Sequence, residues 1–308
     1  MNSTLAQALA SSTSCKPVVR LKTQDLTEVP LFELSKRADR QGALLILHAT
    51  GFSGCTYKEM GNSLSKRWDV FAVDFRGHGT SKKVPGETFD WRHFAYDVDA
   101  ASSYIKSLGY EELSVFGHSM GGAAAILSLA QGNQDIDKLF LFEPIIFPVS
   151  DIRPPDPDNP LAKAALRRRT SFESLQTAYD NFVSKEPLCR FQVNVIVDYL
   201  LSAFEQTSDG SVRLLCARED ESLIYAFGSA HDAYRLLTRI NNEVLLLFGG
   251  ETDTFDRTHF IDLAKRLPRG RHKELVDIGH FGPMTHPQLL AEIILHEDQI
   301  GEDTNRRR

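Results

Sequence analysis

Short, unbroken apolar runs separated by stretches of helical period set the pattern of this chain. Residues 43–48, 70–73, 113–116, 139–142 and 244–248 are apolar almost throughout, as a strand buried on both faces of a parallel sheet requires. Residues 18–21 and 29–34 come earlier and close together, and the second run alternates, which predicts an antiparallel pair at a sheet edge. A last, shorter run at 275–278 predicts the final strand. Between the runs, Phe94, Val98, Ala101, Tyr104, Ile105 and Leu108 recur at helical spacing. Residues 123–130 and 260–267 do the same. Strands alternating with helices predict a mostly parallel sheet with helices on both faces.

The alternation stops between Pro144 and about Arg239. Six prolines, Pro144, Pro148, Pro154, Pro155, Pro157 and Pro160, crowd the start of that segment. They bar both a helix and a central strand there, because proline lacks a backbone donor and forces its predecessor out of helical geometry. Helical patterns follow at 161–169, 172–183 and 193–204, with a weak strand candidate at 212–215. The segment therefore reads as a mainly helical insertion over 144–235, placed between two core pieces, 1–143 and 236–308.

Composition narrows the classes of function. A formal net charge of −6 and 25% charged residues argue against nucleic acid as a partner, since phosphate binding needs a basic face. Arg167, Arg168 and Arg169 read as a wet helix face, and Arg306 to Arg308 as a solvated tail. No apolar stretch reaches the ~18–20 residues of a membrane span. The first fifteen residues suggest a short helix or a loose leader. Cys15, Cys55, Cys189 and Cys216 are scattered, with no CxxC pair. That spacing predicts neither a zinc site nor a disulfide framework, and fits a reducing cytoplasm.

The sharpest chemical signal is Gly117-His118-Ser119-Met120-Gly121-Gly122, set between the strand 113–116 and the helix 123–130. A serine on so tight a strand-to-helix turn projects its hydroxyl at the carboxyl end of the sheet, and side chains at 117 or 121 would collide with the neighbouring strand and helix. Met120, at the helix start, offers a backbone N–H to a developing oxyanion. A nucleophilic serine needs a base and a group that orients it. His280, in Gly279-His280-Phe281 after the last strand, is the candidate base. Asp253, in Gly250-Glu251-Thr252-Asp253 after the strand 244–248, is the candidate acid, with Glu143 at the end of 139–142 as the alternative. The second oxyanion donor is expected at Thr50, in His48-Ala49-Thr50-Gly51-Phe52. His118 is expected to point away from the serine, His78 to be structural, and Asp74 and Arg76 to tie loops together.

With these motifs the sequence resembles the α/β-hydrolase superfamily over nearly its whole length, departing at His48-Ala49, where many members have His-Gly. The resemblance implies an eight-stranded, mostly parallel sheet with a cap after the sixth strand. It also implies Ser119 as nucleophile, Asp253 as acid, His280 as base, and Thr50 and Met120 as oxyanion donors. No metal or organic cofactor follows from it. Epoxide hydrolases and haloalkane dehalogenases that resemble this chain carry Asp at the elbow, so Ser119 speaks against both. The expected activity is hydrolysis of a small acyl substrate, most simply a carboxylic ester, by a cytoplasmic monomer or homodimer. The alternatives are C–C bond hydrolysis of a β-diketone or ring-fission product, and a non-catalytic receptor of the same fold. Cap aromatics Phe147, Phe172, Phe182, Phe191, Tyr199 and Phe204 are expected to form the cap's own core or to roof the site.

Overall fold

The unbroken apolar runs become the centre of one eight-stranded sheet. The computed structural model describes residues 3–12, 15–37, 42–82, 86, 88–148 and 152–306. In chain order the strands are β1 (Pro17–Lys22), β2 (Glu28–Ser35), β3 (Ala43–Leu47), β4 (Asp69–Val73), β5 (Leu113–His118), β6 (Lys138–Phe142), β7 (Ser171–Phe172), β8 (Phe204–Gln206), β9 (Val212–Leu214), β10 (Glu243–Gly249) and β11 (Gly270–Leu275). The large sheet runs β1-β2-β4-β3-β5-β6-β10-β11. As expected, β1 and β2 pair antiparallel at its edge; β2 is antiparallel to β4 as well, and the remaining pairs are parallel.

The helices are α1 (Ser3–Ser11), α2 (Lys58–Leu64), α3 (Trp91–Ser107), α4 (Met120–Ala130), α5 (Pro160–Leu166), α6 (Leu175–Val183), α7 (Val193–Ala203), α8 (Arg218–Ala226), α9 (Ala233–Leu236), α10 (Arg257–Arg266), α11 (Gly282–Thr285) and α12 (Pro287–Arg306). Alternate residues of each central strand feed opposite cores, since successive side chains leave opposite faces. Leu45, Leu47, Phe71 and Val73 meet Phe94, Val98, Ala123 and Phe260 of α3, α4 and α10. Leu44, Ile46, Val70 and Ala72 meet Met60, Leu64, Leu290 and Ile294 of α2 and α12. Both faces are covered, which is why these strands show no polar alternation. None of the described helices is long and apolar enough to cross a membrane.

Four expectations are corrected. The last strand is Gly270–Leu275, not 275–278. It is an edge strand whose Arg271 and Lys273 pair with Glu297 of α12 at 2.9 and 2.8 Å, and charge of this kind at an edge removes the apolar signature. The segment between β6 and β10 is mainly helical, but it also builds a small antiparallel sheet of its own, in the order β7-β9-β8. Arg168 is no wet face: its guanidinium is gripped by Glu221 at 2.8 Å and by the Tyr199 hydroxyl. Cys15 and Cys55 form a disulfide across 40 residues, with their Cα atoms 6.3 Å apart. Tertiary proximity makes that pair, so sequence spacing held no sign of it, and the cysteine argument for a reducing compartment falls away. The tail continues α12 as far as Arg306, while Arg307 and Arg308 lie outside the described residues.

Candidate active site

Ser119 sits between β5 and α4 with φ at +57° and ψ at −116°, a conformation that is strained for a residue with a side chain. The surrounding chain enforces it. Ser119 N–H donates to the Phe142 carbonyl at 3.0 Å, and its own carbonyl receives Ile145 N–H at 3.2 Å. The glycines around it answer to close approach: a Cβ on Gly121 would stand 2.2 Å from the Leu47 carbonyl oxygen, and one on Gly117 2.8 Å from Gly122 Cα. These are the strand and helix collisions expected from the motif. The serine itself is buried.

The loop after β3 is held residue by residue. Ala49 N–H donates to the Tyr57 hydroxyl at 3.0 Å, Gly51 N–H to His78 Nε2 at 3.1 Å, and Gly54 N–H to Asp74 Oδ1 at 2.8 Å. Phe52 N–H reaches the Ala49 carbonyl at 3.2 Å and Ser53 N–H reaches Thr56 Oγ1 at 3.4 Å. Thr50 is the exception: among the described residues its N–H meets no acceptor. Met120, first residue of α4, likewise has a free N–H, as helix starts do. The two residues touch, Thr50 Oγ1 donating to Met120 Sδ at 3.4 Å. His78 and Asp74 thus have the structural work expected of them. Arg76 ties Asp97 to Asp25, at 2.7 and 2.5 Å.

His280 meets Glu143, not Asp253. Its Nδ1 lies 2.8 Å from Glu143 Oε2. Glu143 also accepts from Gly249 N–H at 2.8 Å, Thr252 Oγ1 at 2.6 Å and Thr254 Oγ1 at 2.9 Å. Burial alone would push this carboxyl up, but the hydrogen bond and charge of His280, with the bonds from Thr252 and Gly249, outweigh it and hold Glu143 below the ordinary glutamate value. An ionised carboxylate can only accept, so Nδ1 of His280 is the donor, and in the neutral ring the lone pair then lies on Nε2.

Asp253 is exposed and makes no hydrogen bond to His280. The reason is local. Gly250 and Glu251 N–H groups bond back to the carbonyls of Leu275 and Ile278, at 2.8 and 2.9 Å. The loop so fixed turns Thr252 and Thr254 to the buried carboxylate instead. Glu143 is placed by a positive φ of 45° just after β6, the strand between β5 and β10. The Ser119 hydroxyl and the His280 ring form no hydrogen bond among the described residues; such contacts commonly tighten only with substrate in place.

Aromatic side chains link the segment 144–235 to the loops that carry Thr50 and His280. Phe52, two residues past Thr50, meets Phe191 at 6.0 Å and Tyr199 at 5.3 Å between ring centroids. Phe281, next to His280, meets Phe191 at 5.5 Å. Phe172, Phe182 and Phe204 pack on one another as a core within that segment, whereas Phe147 lies against Phe255. Among the described residues no cluster of His, Cys, Asp or Glu is arranged to hold a metal ion.

A family model described as "Alpha/beta hydrolase family" matches residues 44–293. The N-formylmaleamate deformylase of Pseudomonas putida is 24% identical over 253 residues, which cover 82% of this chain and 75% of that protein. A soluble epoxide hydrolase from Corynebacterium sp. is 35% identical, but over only 103 residues, 33% of this chain and 34% of its own length. Among solved structures, E-2-(acetamidomethylene)succinate hydrolase superposes with a TM-score of 0.75 at 17% identity, covering 92% of this chain and 98% of its own.

Proposed function

This chain belongs to the alpha/beta hydrolase family, and on that premise we propose that it is a serine hydrolase cleaving a small acyl substrate, a carboxylic ester, through Ser119, His280 and Glu143. The observation that carries the reading is a serine held at positive φ with two open backbone N–H groups: that of Met120, the next residue, and that of Thr50, whose side chain contacts the Met120 sulfur. Donors left open next to a strained, buried hydroxyl fit an oxyanion that appears only during reaction.

The chemistry follows from proton bookkeeping at named atoms. His280 Nε2 takes the proton of Ser119 Oγ as the oxygen attacks the ester carbonyl. The carbonyl oxygen becomes an oxyanion and receives the Thr50 and Met120 N–H groups. Glu143 keeps the proton on His280 Nδ1, holds the productive tautomer, and faces the imidazolium as it forms. Collapse expels the alcohol, which takes the proton from Nε2. Water then attacks the acyl-enzyme carbonyl, giving a proton to Nε2, which passes it to Ser119 Oγ as the acid leaves and restores the free serine. The segment 144–235 acts as a lid, with Phe191 and Tyr199 against Phe52 setting the shape of the acyl group accepted.

Labelling with a fluorophosphonate, together with turnover of a short-chain aryl ester, tests the reading, with Ser119→Ala as the blank. Labelling and turnover in wild type, both lost in Ser119→Ala, are expected. A wild-type protein that neither labels nor turns over ester would refute it.

A further inference from the structure

His118 closes β5 immediately before the nucleophile, and its ring is wholly buried. Both ring nitrogens are committed. Nε2 lies 2.9 Å from the main-chain carbonyl of His280, and Nδ1 lies 2.7 Å from the Tyr57 hydroxyl. A carbonyl oxygen can only accept, so Nε2 carries the proton and Nδ1 accepts from Tyr57. The Tyr57 oxygen in turn receives the N–H of Ala49 at 3.0 Å, the residue before Thr50. The chain of bonds thus runs from Ala49 through Tyr57 and His118 to His280, with every donor matched to an acceptor. Around it, the His118 ring packs against Phe142 at 5.6 Å and the His280 ring at 4.9 Å.

We propose that His118 is a positioning residue: through its bonds to Tyr57 and to the His280 carbonyl, one buried imidazole fixes the loop of the base relative to the oxyanion loop and the adjacent serine. The proposal rests on the serine-hydrolase reading above. Any buried imidazole must find partners for its ring nitrogens; what distinguishes this one is which atoms they are. The atoms it holds are the backbone of the base and, through Tyr57, the backbone next to an oxyanion donor. Burial keeps the ring neutral, its pKa lying well below the ordinary 6.5 chiefly through desolvation, and a neutral ring is what the donor–acceptor pattern requires. Burial likewise pushes Tyr57 up, so its hydroxyl stays a donor.

The two halves of the ring can be separated by substitution. His118→Gln can present an amide N–H near the former Nε2 and keep the bond to His280. His118→Asn presents an oxygen near the former Nδ1, keeping only the bond from Tyr57. His118→Leu removes both. With an aryl ester as substrate, kcat of His118→Leu and His118→Asn is expected to fall by about 10²-fold, the scale set by a misplaced catalytic group. KM should hardly move, and His118→Gln should recover most of the loss. The second readout is the NMR resonance of the His280 Nδ1 proton bonded to Glu143, expected to be sharp in wild type and His118→Gln and lost in the other two. Wild-type kcat and an unchanged resonance in folded His118→Asn would overturn the proposal while leaving the hydrolase reading intact. If His118→Leu fails to fold, the contrast of Gln with Asn decides. If wild type lacks esterase activity but the resonance follows the same pattern, the hydrolase reading fails and the tether stands.

Discussion

Glu143→Gln is the substitution that most directly probes how the base is held. The native carboxylate is fully buried and accepts from four donors: Gly249 N–H, the hydroxyls of Thr252 and Thr254, and His280 Nδ1. An amide cannot satisfy all four. With its NH2 toward Gly249, two donors collide. With its NH2 toward His280, the imidazole must move its proton to Nε2, which removes the lone pair that would deprotonate Ser119. Forcing the wrong tautomer costs about 10⁴-fold in kcat in serine hydrolases of this logic, or ~5 kcal/mol of transition-state stabilisation at ~1.4 kcal/mol per decade. The misfit should also lower folding stability by roughly 1–3 kcal/mol, the usual penalty of an unsatisfied buried group. Asp253→Asn, exposed and not bonded to His280, should leave kcat near wild type. Steady-state ester hydrolysis, with thermal melts to confirm folding, makes the comparison. A larger loss in Asp253→Asn than in Glu143→Gln would refute the reasoning.

Other outcomes follow from packing and charge. Burial, foremost, holds His48 and His118 well below 6.5 and His78 and His231 at about 4, so all four stay neutral in the fold while the unfolded chain protonates them. These four groups alone would lower stability as pH drops below 6.5, by up to ~5 kcal/mol per pH unit for four protons near pH 5, but Asp74, raised by burial to about 7, and Asp97 and Asp198, raised to about 6, take up protons in the fold and offset most of that slope. An NMR titration of the folded protein that shows any of the four imidazoles protonated at pH 6 would contradict it. Gly121→Ala drives a Cβ onto the Leu47 carbonyl and should destabilise by about 3 kcal/mol or more, read from denaturant midpoints, with activity lost. Cys15→Ser opens the loop closed by the disulfide and should lower stability under oxidising conditions by about 4 kcal/mol in the chain-entropy model. An equal loss on adding reductant to wild type checks it.

Much of this molecule is legible in its sequence, and the gaps have physical causes. Strands such as Ala43–Leu47 and Asp69–Val73 are buried on both faces, so their runs stand out. Strand Gly270–Leu275 is half-exposed and pairs its charges with α12, so pattern reading slides forward to the apolar residues after it. Serine and base are recognisable from the glycines that their turns demand. The acid is harder, because Glu143 and Asp253 both follow strand ends and only tertiary geometry separates them. The available hint was chemical: Thr252 and Thr254 flank Asp253 as hydroxyl donors, suited to serve a carboxylate elsewhere. Arg168 and Cys15 escaped for a related reason, since their partners Glu221 and Cys55 lie 53 and 40 residues away.

The position of Glu143 has a consequence for recombining this protein. The residue directly follows β6, and the next, Pro144, already leads into the segment 144–235 while lying close enough to Gly122 that a Cβ on that glycine would stand 2.8 Å from it. A chimera that exchanges lids among hydrolases of this architecture must therefore splice downstream of that proline. A junction drawn at the strand end, where alignment by fold would put it, would exchange the carboxylate bonded to His280 along with the segment.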